Sequence, residues 1–322
     1  MKNISLEDYL NKTNINIPSL PNLSSIEKIN LLKDIYFAHV KTFPYSNTAL
    51  RSIARQHPIQ RPKLSFFSYK NLLSSEPDGY CFQTAALLND ALEQLGYETV
   101  FCAARVLVGA PINSPAIMTL PATHLVLVVT IDEQKFLLDP GMGSSAPRFP
   151  ILITGKSDSI TQNEDEYKFY PTDGVHVLER KTSQGWLRLM QTDLEPISEK
   201  TAQFNLLKLQ LHPDPIPIRD TKTVFGVITP NGRKTLIWDV QSNQLKFSKQ
   251  DGAESIYKTL TSFEEGVQIL AEEFDIPNMS AETLKIHCSQ TVLPKPQKPW
   301  TVNFPLDEAE LSKMAENLTF KV

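Results

Sequence analysis

Long apolar runs are missing from this chain of 322 residues, and so is any strong excess of charge. No stretch approaches the roughly 20 consecutive apolar residues that a membrane-spanning helix needs, so no membrane partner is expected. Lysine and arginine number 32 against 36 acidic residues, a net charge of -4. That balance gives no global attraction to nucleic acid or to an anionic membrane surface, and nucleic acid is not expected as a partner. Cysteine is scarce: Cys81, Cys102 and Cys288 form an odd set without CxxC spacing. Such a set is neither a disulfide framework nor a zinc site, and it suits a reducing compartment. Glycine is outnumbered by proline, 12 to 23, which points to loops fixed in place rather than flexible linkers. Met1-Lys2-Asn3-Ile4-Ser5 leads into a polar, acid-containing stretch with no apolar segment of the signal-peptide kind, so a cytoplasmic location is expected. Neither an internal repeat nor a low-complexity tract is present.

What is present suffices for a sizeable core, since 41% of the residues are hydrophobic. The first hundred residues read as helical. Ser24 and Glu27 make a capping-box pattern ahead of Ile26, Ile29, Leu32, Ile35 and Tyr36, which recur at helical spacing. A second helix is expected from about Phe82 to Leu95, with Gly96 as its C-terminal cap, so Cys81 falls at or just before its N-terminus. Beyond Gly96 the character changes. Thr99 to Val108 is rich in small and β-branched residues, and the runs His124–Ile131 and Lys135–Asp139 flank Asp132-Glu133-Gln134 as a hairpin. Further strands are expected around Trp186 and from Leu206 to Leu211. A clearer hairpin joins Val224–Ile228 to Thr235–Val240 through Pro230-Asn231-Gly232. Ser262 and Glu265 signal another helix start, and a last helix is expected near Asp307 to Leu318 after a proline-rich stretch at 293–300. Helices, then strands, then mixed elements describe an α+β protein.

Three residues carry the chemistry. Cys81 at a helix N-terminus faces unpaired N–H groups and the positive end of the helix dipole, which favour negative charge on sulfur and can receive an oxyanion. His124 opens a strand, and Asp139 ends the next one, close to it if the hairpin forms. The carboxylate would then fix the imidazole tautomer and leave Nε2 free to take the thiol proton. The other histidines, His39, His57, His176, His212 and His287, have no such partner in view. Taken singly, Cys81 reads as a buried apolar residue, His124 as a structural histidine and Asp139 as a turn residue before Pro140-Gly141. Gly141-Met142-Gly143 would let backbone approach a ligand closely. From Asp34 to Glu76 no acid intervenes among Lys41, Arg51, Arg55, Arg61, Lys63 and Lys70, and this reads first as a solvated basic face, with the phosphates of a nucleotide-bearing cosubstrate or of a nucleic acid as the alternative occupants.

These pieces together resemble the arylamine N-acetyltransferases. Gly79-Tyr80-Cys81-Phe82 is similar to the end of that family's RGGxCFE motif, Thr123-His124-Leu125 to its THL motif, and Leu138 to Gly143 to its VDVGFG segment. Phe43-Pro44-Tyr45-Ser46-Asn47 resembles its IPFENL motif and Ala104-Arg105-Val106 its ARV strand, while Trp186, Asn205, His212-Pro213 and Pro230 to Arg233 keep the family's order. The resemblance implies a helical bundle carrying the cysteine (1-97), a β-barrel carrying the histidine and aspartate (98-208) and an α/β lid with a C-terminal extension (209-322). The catalytic core would be like that of cysteine proteases and transglutaminases. It implies ping-pong transfer from acetyl-CoA, or another acyl thioester, through a Cys81 thioester to a small aromatic amine, hydrazine or hydroxylamine. Thr123, Gly141, Gly143 and His212 would contact the cosubstrate, with no tightly bound cofactor and no metal. The chain departs from the family at Pro77, Asp78, Gln83 and Ser46. The lost arginine and the lost glutamate are of opposite charge, as if two partners had gone together. The family's THPxSxF becomes Leu211 to Pro217, with Asp214 and extra prolines. Amide synthesis in natural-product assembly, a Cys-His-Asp hydrolase and a non-enzymatic binding module are the alternatives.

Overall fold

Local caps start most of the helices in this computed structural model, which describes residues 4–17, 23–54, 66–74, 79–212 and 216–289. Ser5 Oγ accepts from Asp8 N at 3.3 Å to open α1 (Leu6–Thr13). The capping box read from the sequence is formed at α2 (Ser25–Thr42): Ser24 N donates to Glu27 Oε2 at 2.8 Å and Glu27 N to Ser24 Oγ at 3.4 Å. Leu32, Ile35 and Tyr36 on this helix are fully buried. A two-residue strand, β1 (Tyr45–Ser46), separates it from α3 (Thr48–Ala54), and a 3-10 segment at Phe66–Ser74 leads toward α4 (Cys81–Gln94). Every residue of α4 from Cys81 to Leu92 is buried, as expected of a helix that is apolar or small on most faces. Gly96, at φ +79°, ends it: Gly96 N bonds to Glu93 O and Tyr97 N to Leu92 O, both at 3.0 Å.

The strands that follow are β2 (Glu98–Val106), β3 (His124–Ile131), β4 (Gln134–Leu138), β5 (Ile151–Leu152), β6 (Ile160–Gln162), β7 (Asp165–Thr172), β8 (Val175–Thr182) and β9 (Gly185–Ile197). A short helix, α5 (Pro115–Met118), lies between β2 and β3. They form one antiparallel sheet in the order β5-β4-β3-β2-β9-β8-β7-β6, curled into a near-closed barrel. Its filling includes Cys102, Val126, Val128, Leu137, Tyr167, Phe169 and Leu178. Leu125, Leu127, Val129 and Leu138 point the other way and join the core built by α2 and α4. Burial on both faces explains why β3 reads as a continuous apolar run rather than an alternating one. The β3–β4 register pairs Leu127 with Leu138 and Ile131 with Gln134, so the turn is Asp132-Glu133 alone.

The C-terminal part holds α6 (Glu199–Leu211), α7 (Pro217–Asp220), β10 (Lys222–Ile228), β11 (Gly232–Asp239), β12 (Gln244–Asp251), β13 (Glu254–Thr259), α8 (Phe263–Phe274) and α9 (Ala281–His287). Leu206–Leu211, expected as a strand, belongs to α6. Ser198 Oγ accepts from Thr201 N at 3.1 Å and starts a helix whose buried Ala202, Leu206 and Leu209 recur at helical spacing. The expected hairpin around Pro230-Asn231 is β10–β11, with Ile228 opposite Arg233. At α8, Ser262 Oγ caps Glu265 N at 3.2 Å, while the Glu265 carboxylate takes Thr261 N at 3.0 Å rather than the N-cap amide. The second sheet runs β1-β10-β11-β12-β13, so β1 ties the helical region to this C-terminal part.

Arg51 is not part of a solvated basic face. It is fully buried, donating to the carbonyls of His287 at 3.2 Å, Arg219 at 3.0 Å and Ser289 at 2.6 Å, and it lies over the Trp238 ring. Arg55, His57, Arg61 and Lys63 lie outside the described residues, as do Pro77, Asp78, Asp214, the stretch at 293–300 and the expected helix from Asp307 to Leu318. No helix among the described residues is long and apolar enough to cross a membrane.

Candidate active site

Cys81 is the first residue of α4, and no side chain caps that end. The sulfur therefore sits where the helix dipole favours negative charge. β3 and β4 bring the other two residues to it. His124 is the first residue of β3, and Asp139 directly follows the last residue of β4. His124 Nε2 lies 2.8 Å from Asp139 Oδ1, and both side chains are buried. Cys81 lies beside the same imidazole: a point one bond from Gly141 Cα is 2.4 Å from Cys81 Cβ and 3.1 Å from His124 Cε1. With Nε2 taken by Asp139, the nitrogen left for sulfur is Nδ1. This corrects the expectation that Nε2 would face the thiol: Asp139, which follows directly on β4, takes Nε2 for itself.

Burial alone pushes the His124 imidazole down. The Asp139 carboxylate, its hydrogen bond and the neighbouring Cys81 outweigh that and bring it up to about 10. An imidazolium between an acid and a sulfur is thus the favoured state near neutrality. Asp139 N donates to the Tyr36 hydroxyl at 3.2 Å, which links the acid to α2, and Gly141 N donates to Asp139 Oδ1 at 3.2 Å. Asp139 Oδ2 is buried with no hydrogen-bond partner among the described residues.

Gly141 closes the site from above. A Cβ there would stand 2.4 Å from Cys81 Cβ, 2.8 Å from Cys81 Cα and 3.1 Å from His124 Cε1, so only glycine fits. Gly143, at φ +56°, packs instead against Tyr45 and Gly226. Thr123 meets the sulfur through its carbonyl, which accepts from the Tyr80 hydroxyl at 2.7 Å and from Cys81 Sγ at 3.5 Å. His212 ends α6, and its carbonyl accepts from Arg219 Nη1 at 2.8 Å. Reading the sequence missed Tyr36 and Tyr80. Tyr36 was hidden in the apolar period of α2, and Tyr80 stood inside the motif that holds Cys81. Ser46, which replaces a family glutamate, is buried and bonds to Thr48 Oγ1 at 3.0 Å. Gln83 Oε1 is buried without a partner among the described residues. Those residues contain no cluster of metal-ligating side chains.

A sequence profile of the N-acetyltransferase family matches residues 28–282. The chain belongs to the arylamine N-acetyltransferase family. A pineal gland arylamine N-acetyltransferase of Gallus gallus is 23% identical over 275 residues, covering 78% of this chain and 89% of that one. The arylamine N-acetyltransferase of Mycobacterium tuberculosis is 26% identical over 254 residues, covering 77% of this chain and 83% of its own. Among solved structures, the Mycobacterium marinum arylamine N-acetyltransferase in complex with CoA superposes with a TM-score of 0.70 at 20% identity, covering 88% of this chain and 98% of that one. The Salmonella typhimurium enzyme gives a TM-score of 0.70 at 17% identity, covering 88% and 97%. At these identities the structures speak for the fold.

Proposed function

We propose that Cys81, His124 and Asp139 carry out acetyl transfer from acetyl-CoA to a small aromatic amine, hydrazine or hydroxylamine. The observation that carries the reading is the gathering, around Gly141, of a helix-terminal thiol and an imidazole held by a buried carboxylate. The CoA bound to the Mycobacterium marinum relative supports the donor, and the family supports the acceptor.

With the proton of the Cys81–His124 pair held on the imidazolium, the sulfur attacks the thioester carbonyl. Negative charge builds on the carbonyl oxygen and is met by N–H groups at the start of α4. Coenzyme A leaves as a thiol, taking the proton back from the imidazolium, and Cys81 holds the acetyl group. The amine then attacks that thioester and gives up a proton through His124, and the amide leaves with the Cys81 thiol restored. Asp139 holds the imidazolium throughout and does not itself take the proton.

Incubation with acetyl-CoA and no amine tests this. The expected intact mass carries one acetyl group, lost on adding an aromatic amine and absent in Cys81→Ala. No adduct on wild type, under conditions where an alkylating agent still labels Cys81, would exclude acetyl-CoA as donor.

A further inference from the structure

One carboxylate serves too many guanidiniums where the barrel meets the C-terminal sheet. Asp165, at the start of β7, pairs with Arg148 Nε at 3.0 Å and with Arg233 of β11. The Arg148 contact is an ion pair whose geometry falls short of a hydrogen bond. Arg148 is occupied otherwise, donating to the Thr229 carbonyl and to the Gly232 carbonyl at 2.7 Å, and Arg233 reaches the Ser144 carbonyl. The third guanidinium, Arg180 on β8, has no carboxylate of its own in this group. Register places it there: Tyr167 pairs with Arg180, so Asp165, Tyr167 and Arg180 share one face of the sheet. On the opposing sheet Arg233 pairs with Gln250, and Ser248 with Tyr257, so Arg233 and Tyr257 share a face as well.

Three guanidiniums against one carboxylate leave an excess of two positive charges. The Nε atoms of Arg180 and Arg233 are buried and have no hydrogen-bond partner among the described residues, and the Arg233 side chain is only 10% exposed. Burial, and then the charge of Arg233, push the Arg180 guanidinium down from its ordinary value. A purely structural clamp would need Arg148, Asp165 and Arg233 alone. Arg180 adds repulsion to it, and the pull of Asp165, already shared with two other guanidiniums, offsets its burial and the charge of Arg233 only in part.

We propose that the seam between Arg180 and Arg233 is a binding site for a phosphate-type anion. A phosphate monoester carries about -1.5 to -2 charge at pH 7, which matches the excess. Its oxygens accept from the planar guanidinium fork in paired hydrogen bonds. Arg180 is half-buried and Tyr257 is exposed, so an anion has access from solvent. The chemistry fits free phosphate and the phosphates of a nucleotide-bearing acyl thioester equally.

The test follows thermal unfolding of the full chain in phosphate-free buffer, titrated with sodium phosphate against sodium chloride of equal ionic strength. At a hundredfold excess over Kd, phosphate is expected to raise Tm by about 5 °C beyond chloride. Arg180→Met keeps the apolar stem and removes the surplus charge. It is expected to abolish that rise and to be no less stable than wild type without phosphate. A wild-type response no larger than that to chloride, or an undiminished response in Arg180→Met, overturns the site. Coenzyme A and pantetheine separate the two sources. If the donor's phosphates bind here, Arg180→Met raises KM for acetyl-CoA about tenfold and leaves KM for acetyl-pantetheine unchanged. If free phosphate is the ligand, neither KM moves and the thermal response to phosphate is still lost in the variant. The thermal readout needs no acyl transfer, so this site and the proposed activity can fail separately.

Discussion

Adding one methyl group over the sulfur isolates what Gly141 does. In Gly141→Ala the new Cβ would meet Cys81 Cβ at 2.4 Å, Cys81 Cα at 2.8 Å and His124 Cε1 at 3.1 Å. Carbon atoms in contact settle at about 3.5–4.0 Å, so a displacement of about 1 Å is forced. Neither obstructing group on Cys81 can swing aside, because one is backbone and the other is the first side-chain atom. The sulfur, the imidazole or the 140–148 loop must shift. Overpacking of this kind costs about 1–3 kcal/mol, and a misplacement of about 1 Å in a reacting pair costs about 10²-fold in rate. The assay is single-turnover acetylation of the protein by acetyl-CoA, with Cys81 alkylation at several pH values and far-UV circular dichroism beside it. The expected variant is folded, unfolds at lower denaturant, and acetylates about 10²-fold more slowly. Gly96→Ala is the control. Its Cβ would meet nothing within 4 Å, so it strains only a positive φ, at about 1–2 kcal/mol, and leaves the rate alone. A Gly141→Ala protein that acetylates as fast as wild type would refute the steric reasoning.

Two further predictions follow from buried charge. His124 is raised to about 10, and a group raised in the folded state stabilises it fully below the unfolded value near 6.5. That contribution is lost as pH climbs through about 10, so wild-type stability should decline across this window. In Asp139→Asn the slope should vanish, the ring should titrate lower by NMR, and acetyl transfer should fall by about 10²-fold or more. An Asp139→Asn protein whose ring still titrates with the wild type would count against the pairing. Arg219 is fully buried, donating to Asp220 Oδ2 at 2.7 Å and to the carbonyls of Leu209 and His212 at 2.8 Å. Arg219→Met should therefore lower stability by about 3–5 kcal/mol in urea unfolding, and a loss under about 1 kcal/mol would show that the cluster is not needed.

Where the physics is local, the sequence by itself determined the outcome. Ser24 and Glu27 start α2, Gly96 ends α4, and the apolar runs on either side of Asp132-Glu133 pair as a hairpin, because each depends on residues a few positions apart. That hairpin, with Cys81 at a helix start, was enough to bring His124 and Asp139 into view together. Leu206–Leu211 shows where local reading stops. An apolar run that short fits strand or helix, and Ser198, eight residues upstream, is what starts the helix. Tertiary structure alone decided the rest. Which imidazole nitrogen meets Asp139 depends on the direction from which β4 delivers the carboxylate, and Tyr36 reaches Asp139 N across 103 positions of chain. The gathering of Arg148, Arg180 and Arg233 around Asp165 has the same origin, since those residues come from a loop and three strands of two sheets. Charges and ring orientations answer to through-space neighbours, and those are set by how the sheets pack.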